Sequence, residues 1–237
     1  MRLHGQTAVV TGASRGIGRA VAEGLAHQGA RLVIVSRSAA PLRQAARELG
    51  LIAEVRAVRA DVSRPADVRR VFAAVAREFE APDIVVNNAG MAEFRLVAET
   101  SDDLWLKTLG ANLTGVFLCC RAALELMTPR QRGHIVNIIS TAAIVPFAAT
   151  SAYGAAKAGA LQFTRVMREE VRAAGIRVTA LLPGPTDTEI WARSWPEAPR
   201  DRMMRPADVA EALLAAVTLP ETAVAEEILL RPPSGNL

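Results

Sequence analysis

The chain has 237 residues, 51% of them hydrophobic, enough to bury a sizeable core in one α/β domain (1–237). Its net charge is +4, but the basic residues are nearly all arginines scattered among acidic neighbours, as in Arg168-Glu169-Glu170, and not gathered into the stripe that nucleic acid requires. Apolar runs such as Ile84 to Val86 or Leu213 to Val217 are too short to cross a bilayer, and Met1 to Gly5 lead straight into a strand, so a cytoplasmic protein is expected.

Strand-like and helix-like segments alternate throughout. Thr7 to Thr11 reads as a buried strand, Gly16 to Gln28 as a helix closed by Gly29, and Arg31 to Ser36 as the second strand. A helix from Ser38 to Leu49 has Gly50 just past its end. There follow strand Glu54 to Arg59, helix Pro65 to Phe79, strand Asp83 to Asn87, a long helix Asp102 to Met127 and strand His134 to Ser140. Helix Ser151 to Ala174 ends at Gly175, strand Arg177 to Leu182 follows, and helix Pro206 to Leu219 precedes the last strand, Glu227 to Arg231. Short Val/Ile/Leu strands between amphipathic helices predict a doubly wound, seven-stranded parallel sheet of Rossmann type, helices on both faces, with its ligand crevice at the carboxyl ends of the strands.

Metal chemistry has little support. His4, His27 and His134 lack ligand spacing, and the adjacent Cys119 and Cys120 point about 100° apart on a helix, as two small buried hydrophobes would.

The first strand runs into Thr11-Gly12-Ala13-Ser14-Arg15-Gly16-Ile17-Gly18 and then a helix. Gly12 allows a tight turn, Gly16 a close backbone approach to a pyrophosphate and Gly18 close packing, while the helix N-terminus offers unpaired N–H groups to phosphate. The glycine spacing resembles the short-chain dehydrogenase/reductase family. So do, in order, Asp61-Val62, Asn87-Asn88-Ala89-Gly90, Asn112, Ser140, Tyr153-x-x-x-Lys157 and Pro183-Gly184, which together span essentially the whole chain.

Strand two ends in Ser36-Arg37 with no carboxylate to hold an NAD ribose, and Arg15 lies in the glycine turn. Two guanidinium groups beside a 2′-phosphate favour NADP(H) over NAD(H). The resemblance implies that Asp61 and Val62 meet the adenine and that Asn88, Ala89 and Gly90 border its ribose. It also implies that Pro183, Gly184 and Thr186, with Thr188, meet the nicotinamide carboxamide.

Tyr153 and Lys157 are four residues apart and share a helix face. A phenol titrates near 10, and an adjacent ammonium is expected to lower that value for acid–base work. Tyr153 is the only tyrosine, and Lys157 one of two lysines among 28 Lys plus Arg. Ser140 can orient a carbonyl oxygen. The resemblance assigns Lys157 a grip on the nicotinamide ribose and Asn112 a water linking Lys157 to solvent. The expected activity is hydride transfer between nicotinamide and a carbonyl or secondary alcohol.

Segments 142–149 (Ile144, Val145, Phe147) and 186–205, a lid carrying Trp191, Trp195, Met203 and Met204, border the expected substrate pocket; either the tryptophans face an apolar ketone or they pin the lid. One alternative is a 3-oxoacyl-acyl-carrier-protein reductase, with Arg130, Arg132 and Arg172 meeting the carrier, although the tail Glu226 to Leu237 departs from those reductases. Another is an NADP(H)-binding regulator without chemistry. Small and apolar residues on more than one face of the 102–127 and 151–174 helices predict a homotetramer or homodimer.

Overall fold

Three inner strands carry continuous apolar runs because both of their faces are covered. In β1 (Thr7–Thr11), Ala8 and Val10 face one core and Val9 the other. The alternation repeats in β2 (Arg31–Ser36), where Leu32 and Ile34 oppose Val33 and Val35, and in β4 (Ile84–Asn87), where Ile84 and Val86 oppose Val85. With β3 (Val55–Arg59), β5 (Gly133–Ile138), β6 (Ile176–Pro183) and β7 (Glu227–Leu230), they form an all-parallel seven-stranded sheet of order β3-β2-β1-β4-β5-β6-β7. The computed structural model describes residues 1–193 and 195–235; Ser194 of the expected lid and Asn236 and Leu237 of the tail lie outside the described residues.

Helices α1 (Gly16–His27), α2 (Ala39–Leu49) and α7 (Pro206–Val217) cover one face through Val21, Leu25, Leu42, Leu49, Val209 and Leu213. The opposite face carries α3 (Pro65–Phe79), α5 (Gly115–Met127) and α6 (Ser151–Val171). The strand order reverses between β1 and β4, where connections leave to opposite faces and open a crevice.

Three local expectations need correction. The helix expected over 102–127 is not uniform: α4 (Asp102–Leu109) passes through a π turn at Gly110–Thr114 before α5, with Gly115 N–H reaching the Gly110 carbonyl. Taken as one rod, 102–130 has the length and mean hydropathy of a bilayer-crossing helix, which no run of consecutive apolar residues revealed. Half of its apolar window is buried, and it packs as a core helix between the sheet, α3 and α6. Gly50 caps α2 in right-handed conformation (φ −63°), so no left-handed turn forms there. Finally, β5 stops at Ile138, which leaves Ser140 free on a loop beyond the sheet edge.

Candidate active site

The turn between β1 and α1 has Gly12 at φ +68° and Gly16 at φ +55°, conformations that side chains resist. A Cβ on Gly18 would lie 2.3 Å from Asn88 Nδ2 and 2.5 Å from the Gly12 carbonyl oxygen, so the close packing at Gly18 is against the turn itself. Asn88 Nδ2 donates to the carbonyls of Thr11 (3.0 Å) and Gly12 (3.3 Å) and clamps the turn. Thr11, which the motif reading passed over, accepts the N–H groups of Asn88 and Ala89 on Oγ1, both at 3.0 Å, and so fixes the ends of β1 and β4 together.

At the next strand end, the Ser14 and Ser36 hydroxyls are 3.0 Å apart. Arg37 is exposed, and Arg15 pairs with Glu189 at 3.4 Å. The α1 N-terminus has no side-chain cap and no acidic residue in its first turn. No acidic side chain of the helix's own first turn competes for its leading N–H groups, which fits a bound pyrophosphate, and the missing carboxylate at Ser36 fits a 2′-phosphate. Asp61 Oδ1 accepts the Ser63 amide (3.0 Å) and hydroxyl (2.7 Å), and Val62 is largely buried against Gly115.

The crevice deepens into a cavity of about 300 Å³, bordered by Asn112, Ser140, Tyr153 and Lys157 together with Ile17, Asn88, Gly90, Pro183, Gly184, Thr186 and Thr188. The other expected cofactor residues, Gly12 to Gly16, Gly18, Ser36, Arg37, Asp61, Val62 and Ala89, lie outside this cavity, along the turn and strand ends that lead away from it. Asn112 sits in the π turn, where both amide hydrogens are taken, by the carbonyls of Met91 (2.8 Å) and Thr108 (3.0 Å). That bond holds the segment after β4 against the rod, as expected of a π turn placed at a working site.

Lys157 is buried, and its Nζ donates to the Ile138 carbonyl at 2.8 Å while lying 5.7 Å from the centre of the Tyr153 ring. Burial lowers its pKa to about 8. The expectation that the ammonium would lower the Tyr153 pKa is not met in the ligand-free chain. Burial pushes the phenol above its ordinary value, and the hydrogen bond from Ser140 opposes this only in part. The Ser140 oxygen accepts the Ala142 N–H at 3.1 Å, which orients it.

The segment expected as a lid starts at Thr186, bridged to Met204, with Trp191 and Trp195 lining the cavity. Met203 and Met204 are buried away from it, and Ile144 and Val145 line a separate surface groove, so of the first expected segment only Ala142, Phe147 and Ala148 reach the cavity. Met91 and Phe94 line it unforeseen; the only signal was their adjacency to Asn88-Ala89-Gly90. Arg130 and Arg132 both approach Asp83, and Arg172 pairs with Glu169 and Glu226. Cys119 and Cys120 are buried free thiols, and no metal-binding cluster occurs among the described residues.

The family model described as short chain dehydrogenase matches residues 6–199. The chain is 33% identical to a 3-oxoacyl-acyl-carrier-protein reductase of Vibrio cholerae (94% of this chain, 93% of the relative). It is 34% identical to a sepiapterin reductase of Chlorobaculum tepidum (97% of each). Among solved structures, an alcohol dehydrogenase from the archaeon Thermococcus sibiricus complexed with 5-hydroxy-NADP superposes with a TM-score of 0.91 at 30% identity, covering 98% of each chain. A metagenomic short-chain oxidoreductase in complex with NADP gives 0.87 at 32%, covering 98% of this chain and 99% of the other.

Proposed function

The chain belongs to the short-chain dehydrogenase family of NAD(P)-binding oxidoreductases, and from that premise we propose that it uses NADP(H) to reduce the carbonyl group of a small apolar substrate or to oxidise the matching alcohol. The observation that carries this reading is that Ser140 and Tyr153 line one cavity, with the buried Lys157 Nζ 5.7 Å from the centre of the phenol ring.

The uncapped α1 N-terminus would hold the pyrophosphate, and Ser14, Ser36, Arg15 and Arg37 the 2′-phosphate. Asp61 and Val62 would border the adenine, Lys157 the nicotinamide ribose, and the Pro183–Thr188 backbone the carboxamide. When bound, this cofactor supplies or accepts the hydride. The NADP named in both solved relatives supports the choice.

The Ser140 hydroxyl, oriented by Ala142, can turn its one hydrogen from Tyr153 to a substrate oxygen. The Tyr153 hydroxyl offers a second. Because burial keeps the phenol protonated, it stands ready as a proton donor in the reducing direction. As charge develops on the substrate oxygen, Tyr153 yields its proton, and the Lys157 cation stabilises the phenolate left behind. Asn112 acts on this group by positioning Met91 and the π turn.

One domain (1–237) holds both subsites in this reading, with 186–205 as the lid. The apolar exposed residues Phe117 on α5 and Val166 on α6 support a homotetramer or homodimer. The two free thiols support a reducing, cytoplasmic setting. Carrier-protein reduction is the weaker reading, because Arg130, Arg132 and Arg172 are engaged by the chain's own carboxylates.

The test is NADPH oxidation over a panel of ketones and aldehydes. Turnover by the wild type that vanishes in Tyr153→Phe supports the proposal; tight NADPH binding with no turnover on any carbonyl would leave a regulator instead.

A further inference from the structure

The substrate half of the cavity has a chemical character that the hydride reading does not require. The chain carries 28 basic and 24 acidic residues, yet among the described side chains the only charged one lining the cavity is Lys157, whose ammonium is held by the Ile138 carbonyl at 2.8 Å. Nearby arginines are engaged elsewhere. Arg200 is held by Asp187 at 2.6 Å and by the Thr188 carbonyl at 2.7 Å, and Arg95 by Glu93 at 3.1 Å. A carboxylate or phosphate on the substrate would lose its water here and meet, among the described side chains, only the Lys157 ammonium, already engaged by the Ile138 carbonyl and assigned above to the ribose.

Aromatic side chains occupy the place that charges would have taken. Phe94, from the segment after β4, meets Trp191 of the lid edge to face, with centroids 5.8 Å apart and planes at 67°. Trp191 in turn meets Trp195 at 6.1 Å and 70°. The Trp191 indole N–H donates to the Thr186 carbonyl at 2.9 Å, which pins the lid and fixes the ring's attitude at once. The two sequence readings of these tryptophans are therefore compatible.

All three rings line the cavity that contains Ser140 and Tyr153. Each ring has two faces, and a T-shaped chain leaves faces open to the edge of a further aromatic ring. Trp195, 39% exposed, is the least covered of the three. The cavity of about 300 Å³ has to admit the nicotinamide as well, which leaves room for a compact substrate.

We propose that Phe94, Trp191 and Trp195 form the specificity site and that the substrate is an uncharged aryl ketone or aldehyde, or its alcohol, whose ring packs against them. The assignment rests on the carbonyl-reducing function proposed above.

The test compares kcat/KM with NADPH for acetophenone, for cyclohexyl methyl ketone, which has nearly the same size but no π-system, and for 4-carboxyacetophenone. Acetophenone should exceed the cyclohexyl ketone by about tenfold, the upper range of an aromatic pair contact, and the carboxylated ketone by at least as much. Trp191→Leu and, at the more exposed position, Trp195→Leu should each shrink the aryl preference through KM, while Trp191→Phe retains most of it.

Quenching of tryptophan fluorescence by acetophenone in the presence of NADP provides a readout without turnover. Saturable quenching with no reduction of any ketone would uphold the aromatic site and overturn the hydride-transfer reading. Reduction with no aryl preference, a preference unchanged in both leucine variants, or an absence of both turnover and quenching would overturn the aromatic site.

Discussion

Arg15, in the turn that opens α1, and Glu189, in the first helical turn of the lid, form an ion pair 3.4 Å long, with both side chains mostly exposed. The pair joins the proposed phosphate end of the crevice to the segment that carries the aromatic wall. A 2′-phosphate arriving at Arg15 must share that guanidinium with a carboxylate of the same sign. Glu189→Gln should therefore tighten NADPH by about two- to fivefold, the range of an exposed pair, and leave NADH nearly unchanged. The gain should fade in high salt. Fluorescence titration with both cofactors measures it, and an equal gain for NADH would show that the pair has no bearing on the phosphate.

In the proposed reading, cofactor choice rests on the Ser14–Ser36 hydroxyl pair and on Arg37 beyond it. Ser36→Asp combined with Arg37→Ala places a carboxylate where a ribose diol could donate to it and a phosphate would be repelled. NADPH should weaken at least tenfold and NADH improve. Unchanged NADPH affinity would reduce Arg37 to surface charge.

Lys157 titrates near 8 because burial disfavours its charged form. A cofactor held partly by its ammonium should bind more weakly as pH rises through that value. Dissociation constants at pH 7 and pH 9 should diverge in the wild type and agree, both being high, in Lys157→Ala. Tyr153→Phe should retain the wild-type pH trend in binding while losing turnover by about a hundredfold or more.

Stability at mild acid depends on a residue far from the chemistry. His134 is buried in β5, and its Nε2 lies 2.8 Å from Thr179 Oγ1, which itself donates to the Ala225 carbonyl at 2.7 Å. Nε2 therefore carries the hydrogen, and Nδ1 is left without a hydrogen-bond partner. Burial lowers the ring's pKa from 6.5 to about 3. Between those values the unfolded chain binds a proton that the folded chain refuses, so stability falls as pH falls through the window. From pH 7 to pH 5 the loss should be about 2 kcal/mol, read from urea midpoints, and His134→Val should flatten the slope even though it lowers stability at pH 7.

Phe117 of α5 and Val166 of α6 are exposed apolar residues on neighbouring helices. Light scattering at micromolar concentration should give two or four times the 25.2 kDa of one chain, and Val166→Glu should lower that mass. A wild-type mass of one chain would remove assembly from the account.

Much of this was legible in the residues. Thr7–Thr11, Arg31–Ser36 and Pro65–Phe79 form the elements their patterning predicts, because apolar runs and a Pro at a helix start are local signals. The π turn was not legible. One extra residue within 29 shifts a helical face too little to disturb a pattern already apolar on several sides. Phe94 and the Arg15–Glu189 pair were invisible for another reason: their partners lie 97 and 174 residues away, at Trp191 and Glu189, and only the sheet order brings them together. The sign of the Tyr153 shift was misread because proximity to a cation was weighed without the desolvation that accompanies it.

The lid is closed at its own base. The Asp187 N–H donates to the Met204 carbonyl at 2.8 Å and the Met204 N–H to the Pro185 carbonyl at 3.0 Å, so the segment leaves and re-enters the fold through a clasp. Beyond that clasp, the sheet meets the same two strands of backbone whatever the intervening residues are. The two ends of the segment are thus held side by side by backbone alone, while Glu189 and Trp191 tie its interior to Arg15 and Phe94. A segment grafted there from a relative has those two backbone hydrogen bonds to reproduce first, and partners for Arg15 and Phe94 to supply next.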